Sequence, residues 1–272
     1  RDDLGARLLD SLPFGLTGAQ ARAMAEIGAD LAQPYPMQRL LQGDVGAGKT
    51  IVAALAACQA ISAGWQAAFM APTEILAEQH YLKLKDWLEP LGVKVAWLSG
   101  SLKSKAKREQ LAATAAEAQL VVGTHALIQE GVDFAKLGLA IVDEQHRFGV
   151  AQRLALRKKG DNPHQLMMSA TPIPRTLAMS YYADLDVTVL DELPPGRTPI
   201  KTRLVADNRR DDVVGFVRKA VEEGRQAYWV CPLIEESEAL QLQTAQETYD
   251  LLLAQFSGLT VGLVHGRLKA DE

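Results

Sequence analysis

The chain has 272 residues, 48 % of them hydrophobic, and a formal net charge of −4 at pH 7. That length accommodates one large or two ordinary domains. The charge excludes a global basic field, so any nucleic-acid contact has to be local, through helix N-termini, backbone amides and a few cations.

The two cysteines, Cys58 and Cys231, lie in apolar runs and read as buried thiols in a reducing compartment, not as a disulfide or a metal site. No apolar run is long and charge-free enough to span a membrane, and the charged opening RDDLGARLLD is no signal peptide. The expected location is therefore cytoplasmic.

In chain order, LPFGLTGAQ (12–20) reads as a helix N-terminus, with Thr17 as N-cap and Gln20 at N3. RLLQ (39–42) reads as a strand end and IVAALAACQAI (51–61) as a buried helix. Between them lies GDVGAGKT (43–50), the pattern G-x-x-x-x-G-K-T formed by Gly43, Gly48, Lys49 and Thr50, with Gly46 inside it. Glycines let the backbone curl so that consecutive N–H groups face phosphate oxygens. The helix N-terminus adds positive partial charge. Lys49 can reach β- and γ-phosphates, and the Thr50 hydroxyl can ligate Mg²⁺. An ordinary glycine-rich turn is the competing reading, and the strand-to-helix setting favours the phosphate loop, hence a triphosphate with Mg²⁺.

Next come a strand, QAAFMAP (66–72), an amphipathic helix, TEILAEQHYLKLKDWLEP (73–90), a strand, VKVAWLSG (93–100), and a helix, KSKAKREQLAATAAEA (103–118). The basic run that opens this last helix reads as a solvated face. Strands QLVVGT (119–124), LGLAIVDE (137–144) and HQLMMSAT (164–171) follow, then a helix, PRTLAMSYY (174–182). This alternation predicts an α/β fold, a parallel sheet with helices on both faces and ligands at the carboxyl ends of strands.

LAIVDEQH delivers two carboxylates to that edge. Asp143 can hold Mg²⁺, and Glu144 can orient and deprotonate an attacking water. The competing reading is a solvated acidic turn. Thr73 and Thr124, the latter followed by His125, stand at strand-to-helix junctions, where a hydroxyl and N–H groups can meet a phosphate or simply cap a helix. The five histidines show no metal-ligand spacing with cysteine.

DELPPGRTPI (191–200) cannot be a helix interior or a central strand and reads as an interdomain linker. Beyond it the pattern restarts: strand 201–206, helix 208–224, strand 226–234, helix 239–256 and strand 259–266. The expected organisation is a first domain over 1–190, the linker, and a partial second domain over 201–272.

GDVGAGKT, APTEILAEQH, VVGTHALIQ, VDEQHRFGVAQR, MSATPIPRT and LPPGRTPI, in this order and spacing, resemble the superfamily-two helicases, and within them the bacterial translocases that remodel stalled forks and branched junctions. The resemblance covers essentially the whole chain. It implies two RecA-like motor domains, the second truncated, and an ATP-dependent DNA helicase of recombination and repair.

It also implies roles for single residues. Lys49 and Glu144 would be catalytic, and Gln20 would read the adenine edge with Phe14 packed nearby. Thr73, Thr124, His125 and Arg267 would touch the DNA backbone. Ser169 and Thr171 would couple hydrolysis to movement, and His146 would link the DEQH box to the second domain. The implied partners are branched or duplex DNA and a single-stranded-DNA-binding protein, with the motor itself a monomer and no membrane involved.

The same resemblance makes the chain a fragment, without the arginine-bearing segment of the second domain and the wedge that reads branched DNA. The expected consequence is weak hydrolysis by the piece alone. The motor of a transcription-repair coupling factor, a P-loop nucleotide switch and a small-molecule kinase are the alternatives. The glutamine in DEQH speaks against the first, Gln20, Glu144 and the Ser169–Thr171 motif against the second, and the adjacent water-activating Glu144 against the third.

Overall fold

The computed structural model describes residues 3–98, 105–144, 150–171, 185–193, 196–231, 238–266 and 268–269. It divides into two compact units, Arg1–Thr198 and Pro199–Glu272.

The first unit is built on seven strands: β1 (Gln38–Gly43), β2 (Gln66–Met70), β3 (Val95–Leu98), β4 (Leu120–Gly123), β5 (Leu137–Val142), β6 (His164–Ser169) and β7 (Asp186–Leu190). They form one sheet in the order β3-β4-β2-β5-β6-β1-β7, and every pair is parallel. The helices of this unit are α1 (Leu4–Ser11), α2 (Gly18–Leu31), α3 (Lys49–Ser62), α4 (Glu74–Leu88), α5 (Lys105–Glu117) and α6 (Val150–Arg157).

Alternate strand residues feed two separate cores, as the two-residue period of a strand requires. Leu41, Ala67, Phe69, Val122, Ile141 and Met168 pack with α1 to α4 on one face. Leu40, Ala68, Met70, Val121, Val142 and Met167 pack on the other, with Ala115 of α5 and Leu156 of α6. The expected α/β architecture with both faces covered is therefore present.

Helix α3 owes its place to its small residues. Ala53, Ala54, Ala56, Ala57 and Cys58 are all buried, which lets the helix lie close against the sheet. Burial pushes the Cys58 thiol up to about 12, so it is an inert apolar group. Cys231, in contrast, is exposed, against the expectation of a buried thiol.

Strands β3 and β4 approach so closely that a Cβ on Gly123 would overlap the Leu98 carbonyl oxygen, a backbone atom. Replacing Gly123 by alanine forces the two strands apart. The expected cost is about 1–3 kcal/mol, read as a lower urea midpoint in equilibrium unfolding. An unchanged midpoint would show that the edge strand shifts freely.

The second unit contains α7 (Arg210–Glu222) and α8 (Glu238–Gln255). Arg218 of α7 donates to the Gln255 carbonyl at 3.0 Å, and Trp229 meets Phe256 edge-on with ring centroids 6.3 Å apart. The strands expected over 201–206, 226–234 and 259–266 do not appear: among the described residues of this unit no ladder forms. Leu204, Tyr228, Val230 and Val264 stand almost fully exposed. An apolar run becomes a strand only against a hydrogen-bonded neighbouring strand, and the described residues of these runs have none. Residues 232–234 and the helix expected over 174–182 lie outside the described residues.

Candidate nucleotide-binding site

The carboxyl ends of β1, β5 and β6 carry the loop 43–50, Asp143 with Glu144, and Ser169 to Thr171. They sit side by side because β5, β6 and β1 are adjacent in the sheet. A cavity of about 830 Å³ opens there, lined among others by Gln20, Gly48, Lys49, Thr50, Asp143 and Glu144. Sequence-distant motifs thus share one pocket, of a size usual for small-molecule sites.

The loop is shaped by Gly46 and Gly48, at φ +80° and +86°. That is the left-handed region, which glycine enters without penalty. Gly48 also caps α3, and a Cβ on it would overlap the Gln20 amide nitrogen. The Lys49 ammonium donates to the carbonyls of Gly43 at 2.6 Å and Asp44 at 3.2 Å. Burial lowers its pKa, while Asp143, Asp44 and Glu144 act to raise it. Thr50 follows in the first turn of α3, half-buried on the cavity wall.

Gln20 realises the capping reading. Its backbone N–H donates to Thr17 Oγ1 at 3.2 Å, and its side-chain oxygen accepts from the Thr17 N–H at 2.9 Å. The same side chain does more than cap. Its Nε2 donates to the carbonyls of Ala47 and Gly48, both at 3.3 Å, tying α2 to the loop. Both donors are thereby engaged, and the oxygen keeps one lone pair. Phe14, 46 % exposed, stands on the cavity wall with it.

Both Asp143 oxygens are engaged as well. Oδ1 accepts from the Glu144 N–H at 2.9 Å, and Oδ2 lies 2.6 Å from Nε2 of His80 on α4. Glu144 has φ +50°, a sparsely populated conformation for a residue with a Cβ and one that clusters at functional sites.

Among the described residues no three His, Cys, Asp or Glu side chains form a metal cluster. Mg²⁺ is usually held by one or two carboxylates together with nucleotide phosphates and not by an all-protein cage. Thr50 and Asp143, a hydroxyl and a carboxylate on one cavity, are the right donor types.

Ser169 is buried and Thr171 exposed, with hydroxyls 3.1 Å apart, and Gln42 Nε2 donates to the Thr171 carbonyl at 3.1 Å. Thr73 is an exposed N-cap whose hydroxyl accepts from the Leu76 N–H at 3.3 Å. Thr124 departs from expectation. It is 1 % exposed, and its hydroxyl, without a partner among the described residues, is buried and caps nothing. The next residue, His125, is exposed instead. His146 and Arg267 lie outside the described residues.

Two residues escaped the sequence reading. His80 carries no motif of its own, being one of five histidines without metal-ligand spacing, and only the adjacency of β2 and β5 brings it to Asp143. Arg197, in the Pro-rich stretch, donates from Nη1 to the Val45 carbonyl at 2.8 Å and so rests on the phosphate loop within the first unit.

The DEAD/DEAH box helicase family model matches residues 17–180. The ATP-dependent DNA helicase RecG of Escherichia coli strain K12 is 58 % identical over 277 residues, 100 % of this chain and 40 % of the relative. The protein of the same name from Bacillus subtilis is 53 % identical over 268 residues, 98 % of this chain and 39 % of the relative. The chain thus spans about two fifths of the length of these curated relatives.

Among solved structures, RecG bound to a three-way DNA junction superposes with a TM-score of 0.77 at 42 % identity, covering 94 % of this chain and 33 % of that one. Saccharomyces cerevisiae Dbp5 bound to RNA and ADP BeF3 gives 0.66 at 18 % identity, covering 100 % of this chain and 68 % of that one, a likeness of fold alone. The sheet is accordingly RecA-like, as the motif order implied. With the family model running from the N-cap of α2 past the SAT segment, and so taking in Gln20, the phosphate loop, Asp143 and Glu144, the chain belongs to the DEAD/DEAH box helicases.

Proposed function

We propose that this chain is the ATP-hydrolysing core of a DNA motor acting on branched DNA. The observation that carries the reading is the single cavity shared by Lys49, Thr50, Asp143 and Glu144. A binding-only pocket needs one carboxylate for Mg²⁺ and has no use for the second, Glu144, on the same cavity. The relatives named RecG, and the RecG structure on a three-way junction, support DNA and branched geometry over the transcription-repair alternative.

In this reading residues 1–190 form the first RecA-like ATP-binding domain, 191–200 the linker and 201–272 part of a second such domain. The loop amides around Gly43, Gly46 and Gly48 cradle phosphates, Lys49 neutralises β/γ charge, and Gln20 offers its remaining lone pair to the adenine amino group. Thr50 and Asp143 hold Mg²⁺, which supplies charge neutralisation on the phosphates. Glu144 accepts the proton of the attacking water.

Thr73 and His125 face backbone phosphates, with Arg267 of the second domain. Thr124 contributes through the turn it shapes. Ser169 and Thr171, with His146, relay the state of the nucleotide to the DNA side. The motor works as a monomer in the cytoplasm, with a single-stranded-DNA-binding protein as a further partner.

The test is steady-state ATP hydrolysis by this chain, and by the protein at its relatives' full length, with and without a model replication fork. Fork stimulation of the longer protein is the expected result. Tight ATP binding with no response to DNA in either would put the nucleotide-switch reading first.

A further inference from the structure

We propose that His80 is a positioning residue: its imidazole fixes the Asp143 carboxylate for the metal and, through it, the backbone of Glu144. The inference rests on the ATPase reading above.

The geometry is specific. His80 Nε2 and Asp143 Oδ2 are 2.6 Å apart, with the two side chains only 15 % and 13 % exposed. A carboxylate only accepts, so Nε2 carries the hydrogen and donates. The imidazole is itself wedged. Its ring lies 4.5 Å from that of Phe69, tilted by 41°, and Phe69 is a fully buried residue of β2. Asp143 is gripped at a second point, where its N–H donates to the Met70 carbonyl at 2.8 Å.

With Oδ2 on His80 and Oδ1 on the Glu144 N–H, the carboxylate has one orientation, and each oxygen keeps lone-pair capacity for a cation. The Oδ1 bond in turn supports Glu144 at its unusual φ of +50°. Removing the donor on Oδ2 lets the carboxylate rotate, and rotation breaks the bond that holds Glu144. One imidazole thus orders both acidic groups of the site. Groups that orient a metal's carboxylate in this way are worth about 10–100-fold in metal affinity or activity.

Two substitutions separate the donor from the ring. His80→Phe keeps an aromatic ring against Phe69 and deletes the donor. His80→Gln deletes the ring and keeps an N–H near the Nε2 position. The readout is the Mg²⁺ concentration that gives half-maximal binding of a fluorescent ATP analogue, followed by that for half-maximal hydrolysis, in the protein at its relatives' full length.

The expected result is a Mg²⁺ requirement raised about 10–100-fold in His80→Phe and near the original in His80→Gln, with metal-free nucleotide binding equal in all three. An unshifted requirement in His80→Phe, or an equal shift in both variants, overturns the proposal and leaves His80 a packing residue. A protein that shows no Mg²⁺-dependent binding even unmodified overturns the ATPase reading, and this inference with it.

Discussion

Glu144→Gln is expected to leave ATP bound and to slow its hydrolysis by about 10²–10⁴-fold, the usual contribution of a positioned general base. Glutamine matches glutamate in size and still hydrogen-bonds, so the substitution removes proton acceptance and little else. The residue follows Asp143 at the end of β5 and shares the cavity with Lys49 and Thr50. Its conformation, φ +50°, is set by the backbone, so the glutamine side chain starts from the same place. Steady-state phosphate release at saturating ATP, measured at the relatives' full length, gives the rate. Titration with a fluorescent ATP analogue gives the affinity. Unimpaired turnover would take Glu144 out of the water-activating role.

The second large effect falls on binding. Lys49→Ala removes the cation proposed for the β/γ-phosphates, and hydrogen bonds to charged groups contribute roughly 1.5–3 kcal/mol each. The expected loss is therefore about 10–100-fold in ATP affinity. In the structure the ammonium rests on the carbonyls of Gly43 and Asp44. Both are loop atoms, so the truncation also loosens the cradle itself. Isothermal titration calorimetry with MgATP reads the dissociation constant directly. An unchanged constant would mean that the backbone amides alone hold the phosphates.

The site was legible in the sequence wherever a residue's task is local. The loop 43–50 and the carboxylates at 143 and 144 are fixed by what immediately flanks them, a strand before and a turn after. Thr17 and Gln20 could be read as a cap for the same reason. What the cap residue does next, donating to Ala47 and Gly48, depends on α2 lying over the loop, and that is a tertiary fact. His80 is the sharper case. Its partner is distant in sequence, and finding it needs the strand order, which no local pattern encodes.

Strand β7 was missed because its pattern runs backwards. Thr188 is buried and accepts from Arg39 at 2.8 Å, while Val187 and Val189 face outward. A polar residue inside and apolar residues outside invert the alternation by which strands are recognised. The opposite holds in the second unit, where apolar runs at 201–206, 226–234 and 259–266 predict strands and their described residues form none. Periodicity reports what a segment could bury, and pairing decides whether it does.

The position of β1 has a consequence for how the first unit is assembled. The strand that ends in the phosphate loop lies between β6 and β7, and its ladder partners begin at Gln165 and Asp186. Leu40 and Leu41, fully buried in the finished sheet, are made early during synthesis and wait for neighbours that are made late. Closing such distant pairings is entropically costly and slow. The shape of the phosphate loop therefore depends on strands that follow it far down the chain. A nucleotide that recognises only that shape acts as a ligand of the completed unit, stabilising it by mass action and reporting, by its binding, that the last strands have arrived.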